Sequence, residues 1–123
     1  MAGTTDTIWL MGVECRVRLG VPEWERKKRQ KVLLDIGLEL PLNKAGGSDD
    51  IRDSVDYWVI EKEARIIAES GECRLAERLA HKTAEAVLRM DRRLRAVHVA
   101  VHKRPSVMPG TREVVVSIAV RRK

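Results

Sequence analysis

A step of two runs through both ends of this chain, and it limits the fold more than any other feature. Val13, Cys15, Val17 and Leu19 alternate with Glu14, Arg16 and Arg18, and Val32, Leu34, Ile36, Leu38 and Leu40 keep the same step further on. Only an extended strand places every second side chain on one face, so each run reads as a half-buried strand. The first covers residues 7–19. Residues 20–29 form a polar turn carrying Pro22, and the second strand closes a long hairpin that ends at Pro41. Near the C-terminus the pattern returns twice, over residues 95–103 through Val97, Val99 and Val101, and over residues 112–122 through Val114, Val116, Ile118 and Val120.

Between the strand pairs the period changes. Residues 43–54, rich in Gly and Asp, read as loop. Asp56 is placed to cap a helix over residues 57–70, with Ile60, Ala64 and Ile67 on one stripe and Gly71 as its stop. A second helix is expected over residues 74–90, with Leu75, Leu79, Thr83, Ala86 and Met90 as its apolar stripe. The order ββααββ predicts an α+β fold: a four-stranded antiparallel sheet with two helices on one face, in a single domain over residues 1–123. Four long strands leave two open edges, and Leu33 and Val115 add apolar surface on the outward face. A homo-oligomer joined edge to edge is therefore expected.

Composition narrows the function class. The chain has 123 residues, 44% hydrophobic and 34% charged, and no apolar run approaches a membrane span. Met1 to Asp6 lacks the basic-then-apolar order of a secretory signal, so a cytoplasmic protein is expected. Cys15 and Cys73, far apart and with no CxxC, read as buried thiols. The net charge of +6, with clusters at Arg26-Lys27-Lys28-Arg29, Arg92-Arg93 with Arg95, and Arg121-Arg122-Lys123, would suit a polyanion. Trp9, Trp24, Trp58 and Tyr57 are too few and too scattered for a base-stacking platform, so no nucleic-acid role and no membrane role is expected. The plain alternative is solvated charge on loops and a terminus, and between the two stands attraction of a small anionic substrate.

The chemistry centres on Lys103. Continuing the step of Val97, Val99 and Val101, it faces the core side where the strand ends and a Pro/Gly-broken loop begins. An amine at the rim of an apolar face is a candidate proton carrier, because desolvation disfavours its charged form. A lone strand-end lysine is more often one that snorkels to water. Three further polar residues stand at element ends: Glu25 in the hairpin turn, Tyr57 at the start of the first helix, and Glu77 in the first turn of the second, where the helix dipole favours a carboxylate. His98 and His102 fall on a polar strand face and are expected in solvent. His81, His98 and His102 have no metal-ligand spacing, and no Gly-rich phosphate motif is present.

Taken in order, Leu19-Gly20-Val21, Glu25, Gln30, Asp35, Ser48-Asp49-Asp50, Ser54-Val55-Asp56-Tyr57, Leu75-Ala76-Glu77-Arg78-Leu79-Ala80, Lys103-Arg104-Pro105 and Pro109-Gly110 resemble the dihydroneopterin aldolase family of folate biosynthesis over nearly the whole chain. The resemblance implies the tunnelling fold, with subunits joined edge to edge into a barrel, a tetramer or octamer, and a pterin pocket between neighbours. It implies retro-aldol cleavage of dihydroneopterin, a small-molecule substrate, with neither metal nor other cofactor and no Schiff base. Glu77 would hold the aminopyrimidine edge, with backbone at Ala76 and Val55 in the same pocket. Glu25 and Lys103 would hold a water and shuttle protons. Tyr57 of a neighbouring subunit would act in protonating the intermediate. The chain departs from the family pattern at Leu19, where a His is usual, and at Arg104-Pro105-Ser106-Val107-Met108-Pro109, where adjacent prolines are usual. The first departure also occurs in the related dihydroneopterin triphosphate epimerases, so epimerisation is the alternative activity. A basic, non-catalytic binding module is a distant third reading.

Overall fold

A computed structural model describes residues 5–123. Met1 to Thr4, part of the stretch read for a targeting signal, lie outside the described residues. The elements follow in the order β1 (Asp6–Leu19), α1 (Glu23–Arg26), β2 (Gln30–Leu40), α2 (Asn43–Ser48), a 3-10 turn (Ile51–Asp53), α3 (Tyr57–Glu69), β3 (Glu72–Cys73), α4 (Ala76–Leu88), β4 (Ala96–Lys103) and β5 (Val114–Arg121). The sheet order is β3-β1-β2-β4-β5. All neighbours are antiparallel except β1 and β3, which run parallel through Arg18–Glu72 and Leu19–Cys73.

The alternation holds because one face of the sheet is covered by helices. Cys15, Val17 and Leu19 of β1, Leu34, Ile36 and Leu38 of β2, and Val97, Val99 and Val101 of β4 are all buried. They meet Ile60, Ala64 and Ala68 of α3 and Leu79, Ala80, Thr83, Ala84 and Val87 of α4. Alanines on the helix faces let the helix backbones lie close to the sheet, while each buried Leu or Ile contributes about 1.5–3 kcal/mol. Thr83, the buried polar residue of this layer, donates its hydroxyl to the Leu79 carbonyl at 2.8 Å. Asp56 caps α3 by accepting from the Trp58 amide.

Four expectations are corrected. The sheet has five strands: two-residue β3 closes over the end of β1, too short for any periodic signal. Residues 43–54 are not plain loop but α2 and the 3-10 turn, the latter capped by the Asp50 carboxylate accepting from the Arg52 amide. Residues 20–29 contain the short helix α1. The buried face of α4 is rotated by one residue from the expected stripe. Leu79 and Thr83 are in it, but Leu75 and Met90 are 50% and 37% exposed and Ala86 is half-buried. Leu75 precedes the first helical turn, and Ala80, Ala84 and Leu88 complete the face instead.

β1 is bent by a bulge between Leu10 and Val13. Gly12 sits there with φ +69, a left-handed conformation that a side chain would strain, and its amide donates to Asp35 Oδ1 at 2.8 Å. Further along, the outer edge of β1 is blocked. The Arg16 amide donates to Glu69 Oε2 at 2.8 Å, and Arg29 donates to the Arg16 carbonyl at 3.0 Å.

The sheet face away from the helices is polar and paired. Asp35 and Glu39 of β2 and His98 and His102 of β4 share it, four residues apart on each strand. His102 Nε2 lies 2.7 Å from Asp35 Oδ2, and His98 Nε2 lies 3.0 Å from Glu39 Oε2. The expected solvent exposure of both histidines is thereby corrected: each faces the acidic residue diagonal to it across the ladder, and both are half-buried. Glu39 also accepts from Arg121 at 3.1 Å. Cys15 and Cys73 are free and buried, and burial pushes the Cys15 thiol up to about 12.

Candidate active site

The ends of β1, β2 and β4 come together at one rim of the sheet, and α1 hangs there between β1 and β2. Lys103, the last residue of β4, follows Val97, Val99 and Val101 on the helix-covered face. Its Nζ lies 3.3 Å from Glu25 Oε2, with the lysine side chain 16% and the glutamate side chain 10% exposed. A residue of the first hairpin turn and one 78 positions later thus form a sheltered ion pair. Such a pair can hold a water and pass a proton in either direction.

Glu25 is held by its turn. Pro22 precedes α1, the Glu25 amide donates to the Pro22 carbonyl at 3.1 Å, and Arg26 clamps both flanks. Arg26 Nη1 donates to the carbonyls of Gly20 and Val21 at 2.9 and 2.8 Å, and its Nε pairs with Glu72 at 2.8 Å. Arg18 donates to the carbonyls of Arg26 and Lys27, and Gln30 donates to the Leu19 carbonyl. So part of the basic cluster read as solvated charge is structural.

Gly20 is the site residue whose role the sequence reading missed. A Cβ there would lie 2.4 Å from Glu25 Cβ and 2.7 Å from its carboxyl. The Glu25 side chain lies flush against this backbone, and only glycine leaves it the room. The signal was present as Gly20 ahead of a turn, but nothing in the sequence said which side chain would fill the space. Leu19, where the family pattern has His, is 1% exposed and belongs to the core; its carbonyl, not its side chain, faces the turn.

Glu77 stands in the first turn of α4, two residues after the N-cap Leu75, and is exposed at the positive end of the helix. Among the described residues it makes no side-chain hydrogen bond. α4 begins just after β3, so Glu77 is at the same end of the molecule as Glu25 and Lys103. Ala76 is half-buried against the core.

Tyr57 and Val55 are at the other end. The C-terminus of α3 is fixed at the site end by Glu69, which accepts from Arg16. Thirteen helical residues then carry Tyr57 roughly 20 Å away. Tyr57 is 55% exposed, whereas Val55 is 3% exposed, backbone included. One chain therefore joins Lys103 to Glu25 and does not join either to Tyr57. Among the described residues no group of three or more His, Cys, Asp or Glu is arranged to hold a metal, and no helix is long and apolar enough to cross a membrane.

The comparisons with known proteins agree with this geometry. The family model for dihydroneopterin aldolase matches residues 8–119. Dihydroneopterin aldolase of Staphylococcus epidermidis is 31% identical over 105 residues, 85% of this chain and 87% of that protein. Dihydroneopterin aldolase 2 of Arabidopsis thaliana is 34% identical over 103 residues, 84% of this chain and 79% of that protein. The crystal structure of Escherichia coli dihydroneopterin aldolase in complex with neopterin superposes with a TM-score of 0.84 at 27% identity, over 94% of this chain and 98% of that one. With a matching family model over most of its length, an α+β fold shared with a solved aldolase, and an acid–base pair at the rim of the sheet, this chain belongs to the dihydroneopterin aldolase family.

Proposed function

We propose that this protein cleaves 7,8-dihydroneopterin by a retro-aldol reaction to 6-hydroxymethyl-7,8-dihydropterin and glycolaldehyde, with Lys103 and Glu25 as its proton carriers. The observation that carries this reading is the sheltered Lys103–Glu25 pair at 3.3 Å, in a chain whose family is named for this reaction.

The chemistry needs little beyond such a pair. Breaking the bond between C1′ and C2′ leaves an electron pair that must be held. The imine of the dihydropterin ring takes it up once N5 is protonated, and the 2′-hydroxyl gives up its proton as the aldehyde forms. Lys103 is the donor to N5, through a water that Glu25 fixes. The C1′ carbon is then reprotonated to give the hydroxymethyl product. Tyr57, brought by a second copy of the chain, donates in that step. Glu77 receives the paired N–H groups of the aminopyrimidine edge in a bidentate, charge-assisted contact, with the backbone at Ala76 and at the neighbour's Val55 alongside.

A homo-oligomer follows from the same arrangement, because Tyr57 lies roughly 20 Å of helix from the end where Lys103 stands. The sheet supplies the means. β5 has no neighbour on its outer side, and most of β1 beyond β3 is open, with Trp9 and Met11 50% and 67% exposed. Product analysis after incubation with 7,8-dihydroneopterin tests the reading. Glycolaldehyde and hydroxymethyl-dihydropterin are the expected products, and isomerisation without cleavage would make the protein an epimerase instead.

A further inference from the structure

We propose that the cavity beside Glu25, walled by Lys28, Arg29 and Arg104, is a phosphate subsite, and that the preferred substrate is a dihydroneopterin whose side chain ends in a phosphate monoester. The inference rests on the aldolase reading and adds to it the chemical class of the substrate's far end.

The cavity has a volume of about 280 Å³ and opens next to the catalytic pair, since Glu25 and Gln30 are in its wall. Its remaining lining is cationic and polar: Lys28 and Arg29 from the turn before β2, Arg104 and Ser106 from the loop after β4. Trp24 supplies an apolar side. Arg104 is the residue directly after Lys103, so its guanidinium is carried by the same strand end as the reacting amine. It also lines a second cavity, with Lys31, Leu33, His102 and Glu113.

The charges here are not matched. Several arginines elsewhere find carboxylates, Arg26 with Glu72, Arg52 with Asp50, Arg65 with Glu61, Arg93 with Asp91 and Arg121 with Glu39, while others such as Arg18 and Arg122 are held by backbone carbonyls. Among the described residues Lys28 and Arg104 have no such partner. Arg29 bonds only backbone carbonyls, those of Arg16 and Glu69 at 3.0 and 3.1 Å. Glu25 is the one acid in the wall, and Lys103 already neutralises it. The cavity is thus a concave surface of net positive charge next to the bond that breaks. A dianionic monoester suits it, with Arg104 able to offer two parallel N–H donors and Lys28 a mobile point charge.

The substrate's own shape points the same way. With the ring held toward Glu77 and C1′ at the Lys103–Glu25 pair, a C2′–C3′ fragment directed past Glu25 would enter this cavity. That fragment is the part that leaves. In the phosphorylated substrate the C1′–C2′ bond breaks, its electron pair passes to the ring, the 2′-hydroxyl proton is removed, and glycolaldehyde phosphate departs with its ester intact. The pterin product is the same as before.

The test is steady-state kinetics of the full chain on 7,8-dihydroneopterin and on its 3′-phosphate, with product identification, for the wild type, Arg104→Ala and the double variant Lys28→Ala/Arg104→Ala. The wild type is expected to favour the phosphate ester by at least about tenfold in kcat/KM, mainly through KM. That ratio is expected to fall toward one in the double variant and in the wild type at high salt. Equal kcat/KM for the two substrates in the wild type, with glycolaldehyde released from the free one, would overturn the phosphate subsite and leave the aldolase standing. An unchanged preference in the double variant would overturn the assignment of these residues. Cleavage of neither substrate would remove the aldolase reading and the subsite with it.

Discussion

The proposed proton shuttle makes Lys103 and Glu25 one unit, which the kinetics of their variants would test. Lys103→Ala is expected to keep the fold, by circular dichroism, and to lower kcat by about 10²–10⁴. Glu25→Gln should cost a similar factor, and the double variant little more than either, because each loss removes the same water-holding pair. Full turnover by Lys103→Ala would end the proposed proton shuttle. Gly20→Ala tests the support beneath: a Cβ 2.7 Å from the Glu25 carboxyl must displace it, so kcat should fall at least about tenfold while pterin binding, followed by fluorescence, changes less. At this scale the sequence was readable where the step of two fixed a residue's face, as at Lys103. It was silent where a role depends on a distant partner. Gly20 needs Glu25 above it, and His98 and His102 need Glu39 and Asp35 on another strand before they can be told from solvated surface.

Elements stay together on the open face of the sheet through charge. Its hydrogen bonds to His98, Thr5 and Arg121 hold the Glu39 carboxyl down to about 2 from 4.5. Asp35, with Glu113 beside it, raises the His102 imidazole above its ordinary 6.5. The two act in opposite directions. Glu39 contributes stability that is full above pH 4.5 and is lost as pH falls toward 2. His102 contributes stability that is full below pH 6.5 and is lost as pH rises through its raised folded value. Thermal melts of His102→Gln against wild type should therefore show a larger deficit at pH 5.5 than at pH 9, and Glu39→Gln a larger deficit at pH 6 than at pH 2.5. The long strands and both long helices were legible because periodicity repeats over many residues. β3, α1 and α2 were not, because two to six residues hold less than two periods and are fixed by contacts such as Arg26 with Glu72 and the Gly20 amide with the Cys73 carbonyl at 3.1 Å.

For the whole molecule, the separation of Tyr57 from Lys103 makes a prediction that no single chain can meet. Tyr57→Phe and Lys103→Ala, each expected to be at least about tenfold less active, should recover activity when unfolded and refolded together. With random mixing about a quarter of the sites would combine an intact Tyr57 with an intact Lys103. No recovery, or a monomer in sedimentation at micromolar concentration, would place the whole site within one chain. The open edges led to the expectation of an assembly, and the distance between Tyr57 and Lys103 says which residues the proposed assembly would have to bring together.

The blocked stretch of β1 bears on how that assembly is built. Glu69 and Arg29 occupy the outward amide and carbonyl of Arg16, and β3 covers Arg18 and Leu19. A neighbouring strand can therefore dock only on the part of β1 that precedes Arg16, and it meets a fixed stop when it slides toward the site. In the proposed assembly the edge would work as a ruler: it would set the offset between adjacent subunits, and with it the height at which one subunit's tyrosine arrives beside the other's lysine.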